Sequence, residues 1–182
     1  LIATQRAETK SLGFTIIEMV FYAAIVGIIG AVLISFLINS LKAYNKTQAT
    51  QNVFNNVSGS LKAITDEIKY AKSLYTPTSI LNSDAGQLSL ETALSAPTGE
   101  TATYVDFYLD NGRIYEKREG SSASPITSER VFITALRFSS VSNGGIISIT
   151  AQITGRINTS SAKPEDQARL TLSSSARLRG AY

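Results

Sequence analysis

The sequence predicts an α+β protein, a long N-terminal helix packed on an antiparallel β-sheet. Three observations predict it. Met19 to Ile38 is a run of 20 residues without a charge, long enough at about 1.5 Å per residue to cross roughly 30 Å of hydrocarbon. Beyond it, Phe54, Val57, Leu61, Ile64, Ile68, Ala71 and Tyr75 recur at steps of three and four, the stripe of an amphipathic helix. After Pro77 the period changes to alternation broken by turn residues, the mark of strands. A helix followed by strands with one apolar face each builds an α+β unit.

The apolar run comes first in the chain and has two ordinary explanations. A cleaved secretory signal has an apolar region of about 7–15 residues and then a small-x-small cut site. This run is longer, and Ser35-Phe36-Leu37-Ile38-Asn39-Ser40 offers no such site. A plain signal anchor explains the apolar length but not what precedes it. Flanking charge does not orient the span, because Arg6 and Lys10 before it are matched by Lys42 and Lys46 after it. Gly27 and Gly30, with Ala23, Ala24 and Ala31 nearby, suit close helix packing, or reflect the ordinary frequency of Gly in membrane helices.

Polar residues Asn45 to Asn52 join the run to the stripe, and no Pro lies between Phe14 and Thr76. One continuous helix of about 60 residues, near 90 Å long, is the economical reading. Gly59, between Ser58 and Ser60, is its expected weak point, since Gly costs about 1 kcal/mol against Ala in a helix. Pro77 is expected to end it, because the residue before a proline disfavours helical backbone.

The strands follow. Val105, Phe107 and Leu109 alternate with Tyr104, Asp106 and Tyr108. Asp110-Asn111-Gly112 then gives a hairpin turn into a return strand, Arg113 to Glu119. Further strands are expected at Val131 to Phe138, Ile146 to Ile153 and Ala168 to Leu178, while Gln87 to Leu94 is ambiguous between strand and short helix. Loops are expected at Asn82–Gly86, Ala96–Thr101, Gly120–Ser128 and Gly155–Gln167.

Composition excludes several chemistries. The 182 residues contain no Cys and no His, so there is no disulfide, no thiolate metal site, and no imidazole base or zinc ligand. A hydrolase would need a Ser–Lys or carboxylate pair, and no local motif supplies one. Asp106 and Asp110 read as a solvated face and a turn residue. Asp84 lies in Asn82-Ser83-Asp84-Ala85-Gly86, an incomplete set of alternating oxygen ligands for calcium. The chain is read as no enzyme, with no cofactor. Net charge is +3. Lys117, Arg118, Arg169, Arg177 and Arg179 could line a basic patch, but Glu116, Glu119, Glu165 and Asp166 interleave with them. Without an aromatic stacking series, DNA is an unfavoured partner.

The decisive residues head the apolar run. Leu12-Gly13-Phe14-Thr15-Ile16-Ile17-Glu18-Met19 places one carboxylate in an apolar context, and no further Asp, Glu, Lys or Arg follows until Lys42. A central membrane acid costs about 2.5–3.5 kcal/mol on insertion scales, so Glu18 needs a compensating role. A polar leader ending in Gly, then Phe-Thr-x-x-Glu, then an apolar run, resembles the processing and assembly signal of type IV pilins and pseudopilins.

That resemblance implies a division into leader peptide 1–13, transmembrane and assembly helix 14–41, and an extracytoplasmic pilin-like α+β domain 42–182. It implies cleavage by prepilin peptidase between Gly13 and Phe14, N-methylation of Phe14, and neutralisation by Glu18 of a neighbouring subunit's N-terminal ammonium. The implied partners are the peptidase, other pilins or pseudopilins, the inner-membrane assembly platform, and lipid before assembly. The implied location is the cytoplasmic membrane as a single-pass protein, then an extracytoplasmic filament. The chain departs from many family members in having no Pro near mid-helix. Ile64-Thr65-Asp66-Glu67-Ile68-Lys69-Tyr70-Ala71 and the terminal Ala176-Arg177-Leu178-Arg179-Gly180 are similar to the J-type minor pseudopilins of type II secretion. A major pilin, and a signal-anchored membrane protein with an extracytoplasmic binding domain, are the alternative readings.

Overall fold

The computed structural model describes residues 13–161, 163, 164 and 167–179. The expected leader therefore lies outside the described residues except for Gly13, as do Glu165, Asp166 and Gly180. The fold is α+β, one long N-terminal helix with antiparallel sheets. Two compact units meet between Lys42 and Ala43.

Helix α1 spans Ile16–Tyr70, 55 residues. In the first unit its apolar side chains are exposed and Glu18 is partly buried. The most apolar 18-residue window has a mean hydropathy of 2.6, so this helix is long and apolar enough to cross a membrane. The helix runs through Gly27, Gly30 and Gly59 without a break, and a Cβ added at any of the three would meet nothing within 4 Å. The expected weak point at Gly59 is held by its neighbour. Ser60 Oγ donates to Asn56 O at 2.9 Å and reaches Ile126 O at 3.2 Å, tying this turn to a following loop.

In the second unit the buried face of α1 comprises Val53, Val57, Ser60, Leu61, Ile64, Thr65 and Ile68, with Ala49 at its edge. The stripe thus begins at Val53, one turn before Val57, and Phe54 points outward at 45% exposure. The expected end at Pro77 is also displaced. The helix stops at Tyr70, and Ala71–Leu74 form strand β1. Ala71 pairs with Thr92, and Leu74 with Leu90. A cross-strand ladder has replaced the last turn and a half of helix, and Lys72 and Ser73 both reach the Glu91 carboxylate, at 3.2 and 2.7 Å.

The expected single sheet is two. Strands β1, β2 (Gln87–Thr92), β3 (Thr103–Asp110), β4 (Arg113–Arg118) and β5 (Ser124–Pro125) form a five-stranded antiparallel meander. Strands β6 (Val131–Asn143), β7 (Ile146–Ile157) and β8 (Arg169–Arg177) form a three-stranded one. The ambiguous segment at Gln87 is a strand because Leu88 and Leu90 are buried while it pairs along its whole length with β3. The Asn111-Gly112 turn has positive φ at both residues, 47° and 74°, as a two-residue hairpin requires. Strand β6 extends five residues past its expected end because Asn143-Gly144-Gly145-Ile146 is a second hairpin, and β7 four past its own because Thr154 to Ile157 pair with the start of β6 and with β8. The expected loop at Gly155 therefore starts later.

Two glycines explain how the layers close. A Cβ on Gly86 would lie 2.7 Å from Leu136 O, where the 82–86 loop runs against β6. Gly86 N donates to Leu136 O, and Leu136 N to Asp84 O, both at 2.8 Å. A Cβ on Gly155 would lie 2.9 Å from Val57 Cγ2 and 3.2 Å from Ile133 Cδ1, so a missing side chain lets α1 approach β7. One core results. Val57, Ile64 and Ile68 meet Leu88, Leu90, Val105 and Phe107 of one sheet and Leu136, Phe138, Ile149 and Ile153 of the other. At about 1.5–3 kcal/mol per fully buried large apolar side chain, this core dominates the stability of the second unit.

Candidate functional site

The head of α1 carries the sequence signal, and its local geometry follows from residue types. Ile16 is the first helical residue, so Thr15 stands at the N-cap. Its hydroxyl accepts the backbone N–H of Glu18 at 3.3 Å, and its carbonyl accepts that of Met19 at 3.2 Å. Thr15-Ile16-Ile17-Glu18 is therefore also the start signature of a helix, a hydroxyl cap three residues before a Glu. Glu18 lies in the first turn, where the exposed N–H groups favour negative charge.

The reciprocal half of a capping box, Glu side chain to cap N–H, is not made here. The Glu18 carboxylate instead has one polar neighbour among the described residues, the Tyr22 hydroxyl, whose oxygen lies 3.5 Å from Oε1. Phe14 packs edge-on against the same Tyr22 ring, centroids 6.0 Å apart. Tyr22 thus touches both Phe14 and Glu18. The sequence signal for it was available: Tyr22 is four residues after Glu18, one helical turn away on the same side. Gly13 and Phe14 precede the helix and are exposed, so the Gly13–Phe14 bond lies in non-helical, accessible backbone.

The other candidates resolve differently. Asp84 is ion-paired, with Arg137 Nε and Nη2 at 3.0 and 2.9 Å from Oδ1, and no group of three or more metal-type ligands occurs among the described residues. Asp106 stands opposite Lys117, and Asp110 opposite Arg113. The basic residues do not gather into one patch. Lys117 and Arg118 lie on β4, whereas Arg169 and Arg177 lie on β8 of the other sheet, with Arg179 just beyond.

Arg118 is committed elsewhere. It bonds Glu67 of α1 and has its Nε 2.8 Å from Glu116. Burial disfavours its charge, but the two carboxylates outweigh that and raise its pKa further. Asp66, partly exposed, is held below its ordinary value by hydrogen bonds from Lys69 and Lys62. Glu91 is lowered by the Ser73 hydroxyl first and Lys72 second. Arg118 and Glu91 fasten neighbouring elements together, whereas the Asp66 pairs lie within α1.

Comparison with protein-family models, with curated proteins and with solved structures returns no match for this chain.

Proposed function

We propose that this chain is a structural filament subunit of the type IV pilin and pseudopilin class, held in the membrane by α1 before assembly and drawn into the filament through the same helix. The observation that carries the reading is the head of α1. Gly13-Phe14-Thr15-x-x-Glu18 sits where an accessible, non-helical Gly–Phe bond meets a capped helix whose apolar side chains are uncovered. Prepilin peptidase would cut after Gly13, and Phe14 would become the methylated N-terminus.

The mechanism is physical. In the membrane, lipid solvates the apolar surface of residues 19–38. In the filament, neighbouring anchors cover that surface, and the Phe14 ammonium of one subunit meets the Glu18 carboxylate of another. At 4 Å such a pair is worth about 4 kcal/mol at an effective dielectric of 20. That exceeds the insertion cost of a membrane acid, about 2.5–3.5 kcal/mol, so the pairing sets register and rewards assembly. The Thr15 cap leaves the carboxylate unspent, because it satisfies the helix with a hydroxyl in place of the Glu side chain.

The subunit is read as a minor one, similar to the J-type pseudopilins, on the residues Ile64 to Ala71 and Ala176 to Arg179. Its location would be the cytoplasmic membrane and then an extracytoplasmic filament. Expression with a prepilin peptidase tests the class: a chain beginning at methylated Phe14 supports it. An uncut chain sinks it and leaves the signal-anchored reading.

A further inference from the structure

The two sheets differ in how their edges are finished. In the five-stranded sheet, β5 is two residues long and ends in Pro125, and β1 is four residues. In the three-stranded sheet, the outer edge of β6 is met by Gly86 N, Asp84 O and Gly112 O. Strand β8 is the exception. It is nine residues long and, among the described residues, pairs only with β7.

The direction of its backbone groups follows from the ladder. Leu178 N donates to Ile147 O, and Ile157 N to Ala168 O. Opposed residues in an antiparallel pair alternate between bonded and non-bonded. Hence Leu170, Leu172, Ser174 and Ala176 spend their N–H and C=O groups on β7. Arg169, Thr171, Ser173, Ser175 and Arg177 turn theirs outward, and all five are exposed. A row of unpaired donors and acceptors of this length is a template for another strand.

A groove runs beside this edge. Its wall on α1 is Ser58, Leu61, Lys62, Thr65, Asp66 and Lys69, with Ser174 of β8 opposite, enclosing about 290 Å³. It is continued by a space of about 410 Å³ lined by Lys69, Tyr70, Arg177, Leu178 and Arg179. The rim is cationic. The strands β6, β7 and β8 contain no Asp or Glu, and their charged residues are Arg137, Arg156, Arg169 and Arg177. Asp66, the one acid near the groove among the described residues, is taken by Lys62 and Lys69.

This charge pattern selects the occupant. Antiparallel pairing of β8 with a second copy of itself, centred on Ser173, would set Arg169 opposite Arg177 twice, and opposed like charges destabilise a ladder. An extended segment with carboxylates at both ends would meet those same two arginines favourably. We propose that the free edge of β8 is a docking site for an extended, acidic segment of another polypeptide, added as a further strand in the groove between β8 and α1.

The proposal is independent of the filament reading, and its test uses the full chain in detergent micelles. The probe is a peptide of β8's nine-residue length, valine alternating with threonine, with Glu at each end; a control carries Lys at both ends. Hydrogen exchange of the free chain is expected to be slow at the amides of Leu170, Leu172 and Ser174 and fast at Thr171, Ser173 and Ser175. Adding the Glu peptide is expected to protect the second set, and the Lys peptide is expected not to. Ser173→Pro removes an outward N–H and spares the ladder to β7. With the fold checked by circular dichroism, it is expected to weaken the Glu peptide about tenfold, the cost of leaving a peptide carbonyl unpaired. Arg169→Glu combined with Arg177→Glu, which leaves the edge backbone intact, is expected to reverse the preference between the two peptides. Binding of neither peptide, equal binding of both, or unchanged binding by both variants overturns the proposal. Protection of Thr171, Ser173 and Ser175 that rises with protein concentration alone also overturns it, because the occupant would then be a second copy.

Discussion

Gly155→Ala is expected to destabilise the second unit, and the effect can be worked from the packing. The added Cβ would lie 2.9 Å from Val57 Cγ2, 3.2 Å from Ile133 Cδ1 and 3.4 Å from Val131 Cγ1. Optimal carbon–carbon separation is about 3.5–4.0 Å, so two of these contacts must open by several tenths of an ångström. Val57 and Ile133 are β-branched, fully or almost fully buried, and anchored on two different elements, so neither can swing aside alone. Overpacking of this kind costs about 1–3 kcal/mol. Ala in place of Gly returns about 0.5–1 kcal/mol of backbone entropy, so the net loss lies between about 0 and 2.5 kcal/mol and is expected near 1 kcal/mol. The contact itself is isolated by adding Val57→Ala, which removes the colliding methyl. The two changes together should cost less than their sum by about 1 kcal/mol, a coupling expected only of residues in contact. Urea unfolding followed by tyrosine fluorescence and circular dichroism reads all four proteins of the cycle. A clearly stabilising Gly155→Ala, or strict additivity with Val57→Ala, would refute the docking of α1 on β7.

Four further outcomes are expected. Glu18→Ala should leave membrane insertion intact and impair entry into filaments, because it deletes the partner of a neighbour's ammonium while easing the lipid state; equal incorporation of mutant and parent chains in sheared filaments would show that Glu18 has no assembly role. A fragment covering residues 43–182 should be soluble and monomeric and melt cooperatively with mixed helix and strand, since the core of Val57, Ile64 and Ile68 against both sheets lies within it; a disordered spectrum would contradict this. Arg118→Ala should cost about 1–2 kcal/mol, discounted for its partial exposure, because it leaves Glu67 at the helix–sheet contact with an oxygen already lacking a partner; Glu67→Gln should restore part of the loss. Glu91 has a folded pKa below its ordinary 4.5, so its stabilisation is present above 4.5 and lost as pH falls through the lower folded value; melting temperature measured below pH 4.5 should fall less steeply for Glu91→Gln than for the parent.

Much of the second unit was legible because two periods were written plainly. The three-four stripe from Val57 to Ile68 and the alternation of β3 specify which faces are buried, and Asn111-Gly112 specifies its turn. The misses have local causes. Val53 was overlooked for the larger Phe54, although it stands at the same one-turn step before Val57. Helix propensity extrapolated through Ala71 to Tyr75 could not register that Glu91, Thr92 and Leu90 would offer that segment a ladder, a tertiary override of local preference. The split into two sheets was invisible because local alternation marks strands but not which strands pair, and the close approaches at Gly86 and Gly155 likewise involve residues distant in the chain. At the head of α1, the Thr15 cap and the Glu18–Tyr22 spacing are written in the sequence, whereas the edge-on packing of Phe14 on the Tyr22 ring needed coordinates. At Asp84, whose loop is read as an incomplete ligand set for calcium, the carboxylate is paired with Arg137, 53 residues later in the chain.

The identity of the new N-terminus tests the account most directly. Intact-mass and N-terminal mass spectrometry of the chain, recovered from membranes of cells containing a prepilin peptidase, should give a polypeptide that begins at Phe14 and carries one added methyl group on its α-amine. A chain retaining residues 1–13, or one cut beyond Ile38 at the far end of the apolar run, would contradict the filament-subunit reading.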